Sequence, residues 1–318
     1  MSSREVVLGI DVGGTTVKGG VVGTDGSTVA SGSLASPSAG GAALLASVRD
    51  LVADLEAEAR AHGCTPVGAG VIVPGIVDES TGRVVYAANL SWEDLDLATE
   101  LGSSTGLPVA VGHDVRGASL AERRVGGARG LADFVLVTLG TGISCAITTD
   151  GTTRVGASGA AGEIGHTTVY PGGETCSCGK RGCLEVYASA GGIARRYRAA
   201  GGEPGSSAAT VSGRVGSEEL AARIWQDATD ALALALATLV LLVDPALVLL
   251  GGGLSRAGDA LVVPTLARLG EELSWRAPPP MRVSPLGAGA GRIGAAILAM
   301  DALGKGDLVD RWQTGRTG

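Results

Sequence analysis

The chain has 318 residues, 45% of them hydrophobic, and a formal net charge of −7. That length fits two domains, the apolar content excludes a disordered chain, and the acidic balance argues against a surface built for DNA or anionic lipid. Glycine is abundant at 53 residues, whereas Phe134 is the single phenylalanine, so base stacking on aromatic rings is a poor route to nucleic acid.

The elements read in chain order begin with three strands, Val6–Ile10, Val17–Val22 and Thr28–Leu34, the last two joined by an Asp25-Gly26 hairpin turn. Leu44–Ala61 has helical apolar spacing, and a buried strand Val67–Val73 stops at Pro74-Gly75. A short helix is expected at Asp94–Leu101, then a strand Pro108–Gly112 running into a helix over Val115–Arg123. The pattern restarts with strands Phe134–Leu139 and Ile143–Thr149 around Gly140-Thr141-Gly142, followed by a polar loop Gly156–Gly182. Helices are expected at Ala188–Ala199, Glu218–Leu242 and Ala260–Leu273, with a buried strand Leu247–Leu250, and a closing helix at Ile293–Leu303 before a loose tail over 304–318. Gly9–Val22 and Leu139–Asp150 share a strand, Gly/Thr turn, strand pattern, which fits a fold of two related halves.

Met1–Ile10 lacks the regions of a signal peptide, and the longest apolar stretch, Ala231–Val243, is closed by Asp244-Pro245. A membrane span needs about 20 apolar residues, so this stretch reads as a buried core helix. Cys64, Cys145, Cys176, Cys178 and Cys183 are odd in number and partly clustered. They read as reduced thiols and a metal knuckle in a cytoplasmic protein without membrane or nucleic-acid partners.

Three groups of residues carry chemistry. Asp11-Val12-Gly13-Gly14-Thr15-Thr16 joins two strands, so a phosphate there would meet turn N–H groups and Thr hydroxyls, with Asp11 holding water on Mg²⁺; the same residues also suit a plain surface hairpin. Gly251-Gly252-Gly253 follows a buried strand, where ligands and ordinary turns both occur, and the formal G-x-G-x-x-G at Gly289–Gly294 lacks the βαβ continuation of a dinucleotide site. His166 with Cys176, Cys178 and Cys183 matches a closed, four-coordinate structural zinc site, with free thiols as the alternative. Asp114, between strand and helix, reads either as a helix cap or as the carboxylate that takes a hydroxyl proton in phosphoryl transfer, and His113 as structural or functional.

Together, Asp11-Val-Gly-Gly-Thr15, Leu139-Gly-Thr-Gly142, Glu163-Ile-Gly-His166 and Cys176-x-Cys178-Gly-x-x-Gly-Cys183-x-Glu185 resemble the ROK family of repressors and sugar kinases, over roughly residues 5–303. The resemblance implies an α/β, actin-like and ribonuclease-H-like two-domain sugar kinase fold with an interdomain cleft. It implies a small domain of 1–115 completed by the helix at 291–303, and a large domain of 116–290 carrying the zinc knuckle. ATP phosphates are expected against Asp11, Gly13, Gly14, Thr15, Thr16, Lys18, Gly140, Thr141 and Gly142, with adenosine near Gly252 and Gly253. Asp114 is expected as the base. His113, Asp114, Glu163, His166, Glu185, Asn89 and Gly75 are expected at the sugar, and His166 is shared with zinc.

The resemblance points to an ATP-dependent kinase acting on the exocyclic hydroxyl of glucose or a glucose-like hexose, with Mg²⁺ and structural Zn²⁺, as a homodimer or homotetramer. The departures are His113-Asp114-Val115-Arg116 where the family commonly has Asn-Asp-x-Asn, and Ser144-Cys145 where its glucokinases continue with glycines. His113 favours as an alternative a kinase of a modified ring, such as a 3-amino hexose or a C7-cyclitol. A sugar-responsive regulator without its DNA-binding part is the alternative from another class; the Asp11 motif lies too near the start to leave room for a helix-turn-helix ahead of it.

Overall fold

The structure, a computed structural model, describes residues 4–312. The first β-branched run forms β1 (Arg4–Val12), which turns back into β2 (Thr16–Gly23) and then β3 (Thr28–Ala35). Helix α1 (Gly41–Ala61) buries Leu44, Val48, Leu51, Val52 and Leu55 along one face and leads to β4 (Cys64–Val73). Three short strands follow, β5 (Ile76–Asp78), β6 (Arg83–Ala87) and β7 (Trp92–Asp96), then α2 (Leu97–Thr105), β8 (Val109–His113) and α3 (Asp114–Val125).

After Gly130 a second sheet begins with β9 (Phe134–Leu139), β10 (Ile143–Thr149) and β11 (Thr152–Thr153). Helices α4 (Leu184–Ala188), α5 (Ala190–Ala199), α6 (Ala208–Arg214) and α7 (Glu219–Val243) lead to β12 (Val248–Gly251), α8 (Asp259–Glu272) and β13 (Met281–Val283). The last helix is α9 (Ala290–Ala302).

The two five-stranded sheets run β3-β2-β1-β4-β8 and β11-β10-β9-β12-β13, with antiparallel pairing on the hairpin side and parallel pairing beyond the first strand of each. The repeated strand–turn–strand pattern in the sequence is therefore the opening hairpin of each sheet. Strand β1 is covered on both sides and reads as a near-continuous apolar run, with Val6, Val7, Leu8 and Ile10 fully buried. Helix α9 lies directly on β1 and β4 because they present Gly9 and Gly70 to it; a Cβ at either would collide with the helix backbone.

The chain divides into two compact units. The first takes the chain through Gly130, the segment Val155–Ala160 and everything from Gly289; the second takes Leu131–Arg154 and Ala161–Ala288. The division expected near residue 115 thus falls after α3, since α3 packs on α9 within the first unit.

Several elements differ from expectation. The expected helix from Asp94 begins only at Leu97, because Asp96 is its cap and accepts the Thr99 N–H at 3.1 Å, leaving Asp94 in β7. The helix expected over Ala188–Ala199 is interrupted at Ser189, whose hydroxyl caps α5 through the Gly192 N–H at 2.9 Å. Strands β5, β6 and β13 and helix α6 had no expected counterpart. The tail expected to be loose is packed as far as it is described. Gly306–Arg311 is 3₁₀-helical, Val309 and Trp312 are buried, and the Trp312 indole donates to the Thr24 carbonyl at 3.0 Å. Residues 313–318 of that tail lie outside the described residues.

Helix α7 alone, among the described residues, is long and apolar enough to cross a membrane by length and composition. Here Trp225, Leu232, Leu236 and Val240 are buried in the core of the second unit.

Candidate functional site

In the first unit, Gly13–Thr16 forms a tight turn closed by the Gly13 N–H donating to the Thr16 carbonyl at 3.1 Å. Gly14 packs against Asn89, which brings that expected sugar-binding residue to the same turn. Gly75 stands at the β4–β5 junction with φ 104°. Asp11, half-buried near the end of β1, pairs with Lys18 on β2, and Gly291 of α9 lies against its carboxylate. The glycines rejected as a dinucleotide fingerprint therefore let α9 start beside Asp11.

Asp114 opens α3, and its Oδ1 accepts the Val115 N–H at 2.7 Å. Desolvation pushes its carboxyl up to about 6, against the hydrogen bond from Val115 and the Arg116 charge. Asp11 is likewise pushed up to about 6 by burial and then by the neighbouring Asp114 carboxylate, with Lys18 opposing. Two carboxylates, one from β1 and one from α3, thus share one poorly solvated corner, an arrangement typical of functional sites and costly elsewhere.

His113 is buried, and its Nδ1 lies 3.2 Å from Asp114 Oδ1, yet it has no aligned hydrogen-bond partner. Burial, then the Arg116 charge, holds the imidazole down at about 4, so the ring is neutral at pH 7. Arg116 donates through Nε to Glu79 at 2.7 Å, a residue that no sequence motif marks.

In the second unit, Gly140–Gly142 joins β9 to β10, and the Ala190 N–H donates to the Gly140 carbonyl at 2.9 Å. Glu185 on α4 accepts the Ile143 N–H at 3.1 Å, so this expected sugar ligand sits against the end of the Gly140–Gly142 turn. Gly252 has φ 80°, and a Cβ there would collide with the Leu139 carbonyl. Only glycine lets the loop after β12 close over the end of β9. Thr141, Gly142, Gly252 and Gly253 are thereby gathered at one end of the sheet.

The Glu163-Ile-Gly-His166 segment lies along the start of β10, with the Cys145 N–H donating to the Gly162 carbonyl at 2.8 Å. His166, Cys176, Cys178 and Cys183 converge, with all four donor atoms within 4.8 Å of one another. Cys178 Sγ and Cys183 Sγ are 3.7 Å apart, and His166 Nδ1 is 3.8 Å from Cys176 Sγ. Zn–S bonds of ~2.3 Å in a tetrahedron separate the sulfurs by ~3.8 Å, so the cluster has the size and donor chemistry of a four-coordinate metal site. The loop is anchored by Glu174, which accepts from Arg196 at 2.8 Å while Arg196 also reaches Asp227 at 2.9 Å.

The model of the ROK family matches residues 7–302. The chain belongs to the ROK family. A glucokinase of Halalkalibacterium halodurans is 34% identical over 94% of this chain and 96% of its own length. An N-acetylgalactosamine kinase of Shewanella is 27% identical over 91% and 95%. The crystal structure of a ROK family glucokinase from Streptomyces griseus in complex with glucose and AMPPNP superposes with a TM-score of 0.83 at 28% identity, covering 93% of this chain and 99% of that one. The ROK chain therefore has the actin-like two-domain α/β fold, and its two sheets with their repeated strand order are the halves of that fold.

Proposed function

We propose that this ROK hexose kinase transfers the γ-phosphoryl group of ATP to the exocyclic 6-hydroxyl of glucose or a glucose-like hexose, with Asp114 as the base. The carrying observation is the position and state of Asp114, a carboxylate at the first turn of α3 whose proton affinity is raised to about 6 beside Asp11 of the first glycine turn. A base with that affinity is ionised at neutral pH and takes a proton more readily than an ordinary aspartate.

In this reading Asp114 accepts the hydroxyl proton as the sugar oxygen bonds to the γ-phosphorus and the bond to the leaving ADP breaks. The turns at Gly13–Thr16 and Gly140–Gly142 direct backbone N–H groups at phosphate oxygens, and Gly252 and Gly253 take the adenosine. Asn89, Gly75, Glu163, His166 and Glu185 read the sugar. Asp11, a hard oxygen donor with Lys18 opposite, would hold Mg²⁺ through water, which supplies charge neutralisation on the phosphates. His166 through Nδ1 and the three cysteines would hold structural Zn²⁺, which fixes the loop bearing Glu163 and Glu185 and leaves the other ring nitrogen for the sugar. A cytoplasmic homodimer or homotetramer completes the proposal, and sedimentation of the purified chain checks its assembly.

One observation favours a second reading of the substrate. His113 Nδ1 is buried without a partner beside the base, and an unpaired buried polar atom costs about 1–3 kcal/mol. A ring bearing an amine or another added donor would pair it, which suits a 3-amino hexose or a C7-cyclitol. ADP release across glucose, mannose, N-acetylmannosamine, 3-amino-3-deoxyglucose and a C7-cyclitol tests both readings. Turnover of glucose or mannose supports the first, preference for the amino sugar or cyclitol the second, and no sugar-dependent ADP release rejects them together.

A further inference from the structure

Arg116, in the first turn of α3, is buried, with 6% of its surface exposed. Its Nε donates to Glu79 Oε1 at 2.7 Å and its Nη1 to the Gly159 carbonyl at 3.2 Å. The same Glu79 oxygen accepts the backbone N–H of His113 at 3.1 Å. One carboxylate oxygen thus ties the last residue of β8 to a side chain in the first turn of α3. The guanidinium ties both to Val155–Ala160, a segment that belongs to the first unit although Arg154 and Ala161 belong to the second.

The Asp114 carboxylate is held by the N–H of the next residue, Val115, so its location follows the backbone of that same turn. Burying a guanidinium costs free energy that acceptors for its N–H groups offset; here Nε and Nη1 find theirs in distant parts of the chain, while Nη2 has none. Resting on the assignment of Asp114 as base, we propose that Arg116, clamped by Glu79 and Gly159, is a positioning residue that locks the first turn of α3 and thereby fixes the Asp114 carboxylate for the acceptor hydroxyl. A lysine cannot span two acceptors in the planar fork geometry of arginine, so it replaces the clamp only in part.

Steady-state kinetics with ATP and the best sugar of the panel above test the clamp in R116Q, R116K, E79A and the double variant R116Q/E79A, each checked for folding by its melting curve. Misplacement of a reacting group by about 1 Å costs up to about 100-fold. R116Q is expected to lower kcat about 10–100-fold while KM for ATP stays within about two-fold. R116K should recover part of the loss, and the double variant should be no worse than R116Q, because the two residues act as one unit. A folded R116Q with kcat within about two-fold of the parent overturns the proposal, as does a double variant that loses the product of the single effects. Should R116Q not fold, a folded E79A protein, which lacks the acceptor oxygen, with unchanged kcat overturns it equally. Asp114→Asn separates the two claims: retained turnover there rejects the base and the clamp together, whereas loss there with a fully active R116Q rejects the clamp alone.

Discussion

The metal knuckle and the Asp114 corner are built on opposite principles. The knuckle draws its donors from one stretch between His166 and Cys183, and they meet at a single point of the second unit. The corner of the first unit gathers Asp11 from β1, Glu79 from the β5–β6 turn, Asp114 and Arg116 from α3, and Gly159 from a returning segment. A bound metal would relieve the crowding of the thiols, so the knuckle would gain stability from such a ligand. In the corner burial raises the proton affinity of both carboxylates, and Asp114 raises that of Asp11 further, so the folded state bears an electrostatic cost where the chemistry is proposed. The cluster is thus local in sequence, whereas the corner is assembled by tertiary structure.

The largest effect that sharpens this contrast is expected from Asp114→Asn. The amide cannot take the hydroxyl proton, and turnover should fall about 10²–10⁴-fold. The same variant should be the more stable protein at pH 8. Because the folded-state affinity of Asp114 lies above the ordinary 3.8, the folded protein holds this proton more tightly than the unfolded chain. The stabilising difference is present at low pH and is lost as pH rises through about 6, so removing the charge helps above that range and not below about 4. Thermal melts of both proteins at pH 4 and pH 8 check the sign; a lower melting temperature for the variant at pH 8 would make Asp114 a helix cap.

Next in size is the knuckle. The purified protein is expected to carry close to one zinc per chain, and Cys178→Ser should lower both metal content and melting temperature. A loss of about 2 kcal/mol in a unit of this size corresponds to roughly 4–8 °C. Elemental analysis that finds no zinc in active protein, or a metal-depleted protein with an unchanged melt, breaks the comparison from the other side.

Smaller shifts concern the base and its neighbour. The log of kcat/KM should climb with pH up to about 6 and level above it, following ionisation of Asp114. A profile flat from pH 5 to 8 would place the base elsewhere. His113→Asn should move the kcat/KM ratio toward glucose by roughly 10-fold relative to the best amino sugar or cyclitol, and an unchanged preference means His113 does not read the sugar.

The same contrast explains what was legible in the sequence. The core strands and the long helices were readable because their apolar residues repeat at strand or helix spacing, and the knuckle because its donors recur at metal-ligand spacing. Strands β5 and β6 were not, since they are short and expose Val85 and Tyr86 instead of alternating cleanly. Trp312 looked like part of a tail because the backbone carbonyl of Thr24 that accepts its indole lies at the other end of the chain. Asp114 was singled out through a motif, but Glu79, the partner of Arg116, was not: nothing in an Asp-Glu-Ser-Thr-Gly turn announces an arginine from α3. His113 stood out as a departure from the family pattern, whereas its unpaired nitrogen became visible only with the fold.

The central claim is phosphoryl transfer to an exocyclic hydroxyl with Asp114 as base, and the structure of the product tests it most directly. Protein incubated with ATP, Mg²⁺ and the best sugar of the panel should yield ADP and a sugar whose ³¹P–¹H coupling places the phosphate on the exocyclic 6-carbon, or its counterpart in a modified ring, and Asp114→Asn should not form it. Phosphate on a ring hydroxyl, or the same product formed at full rate by Asp114→Asn, would contradict the account.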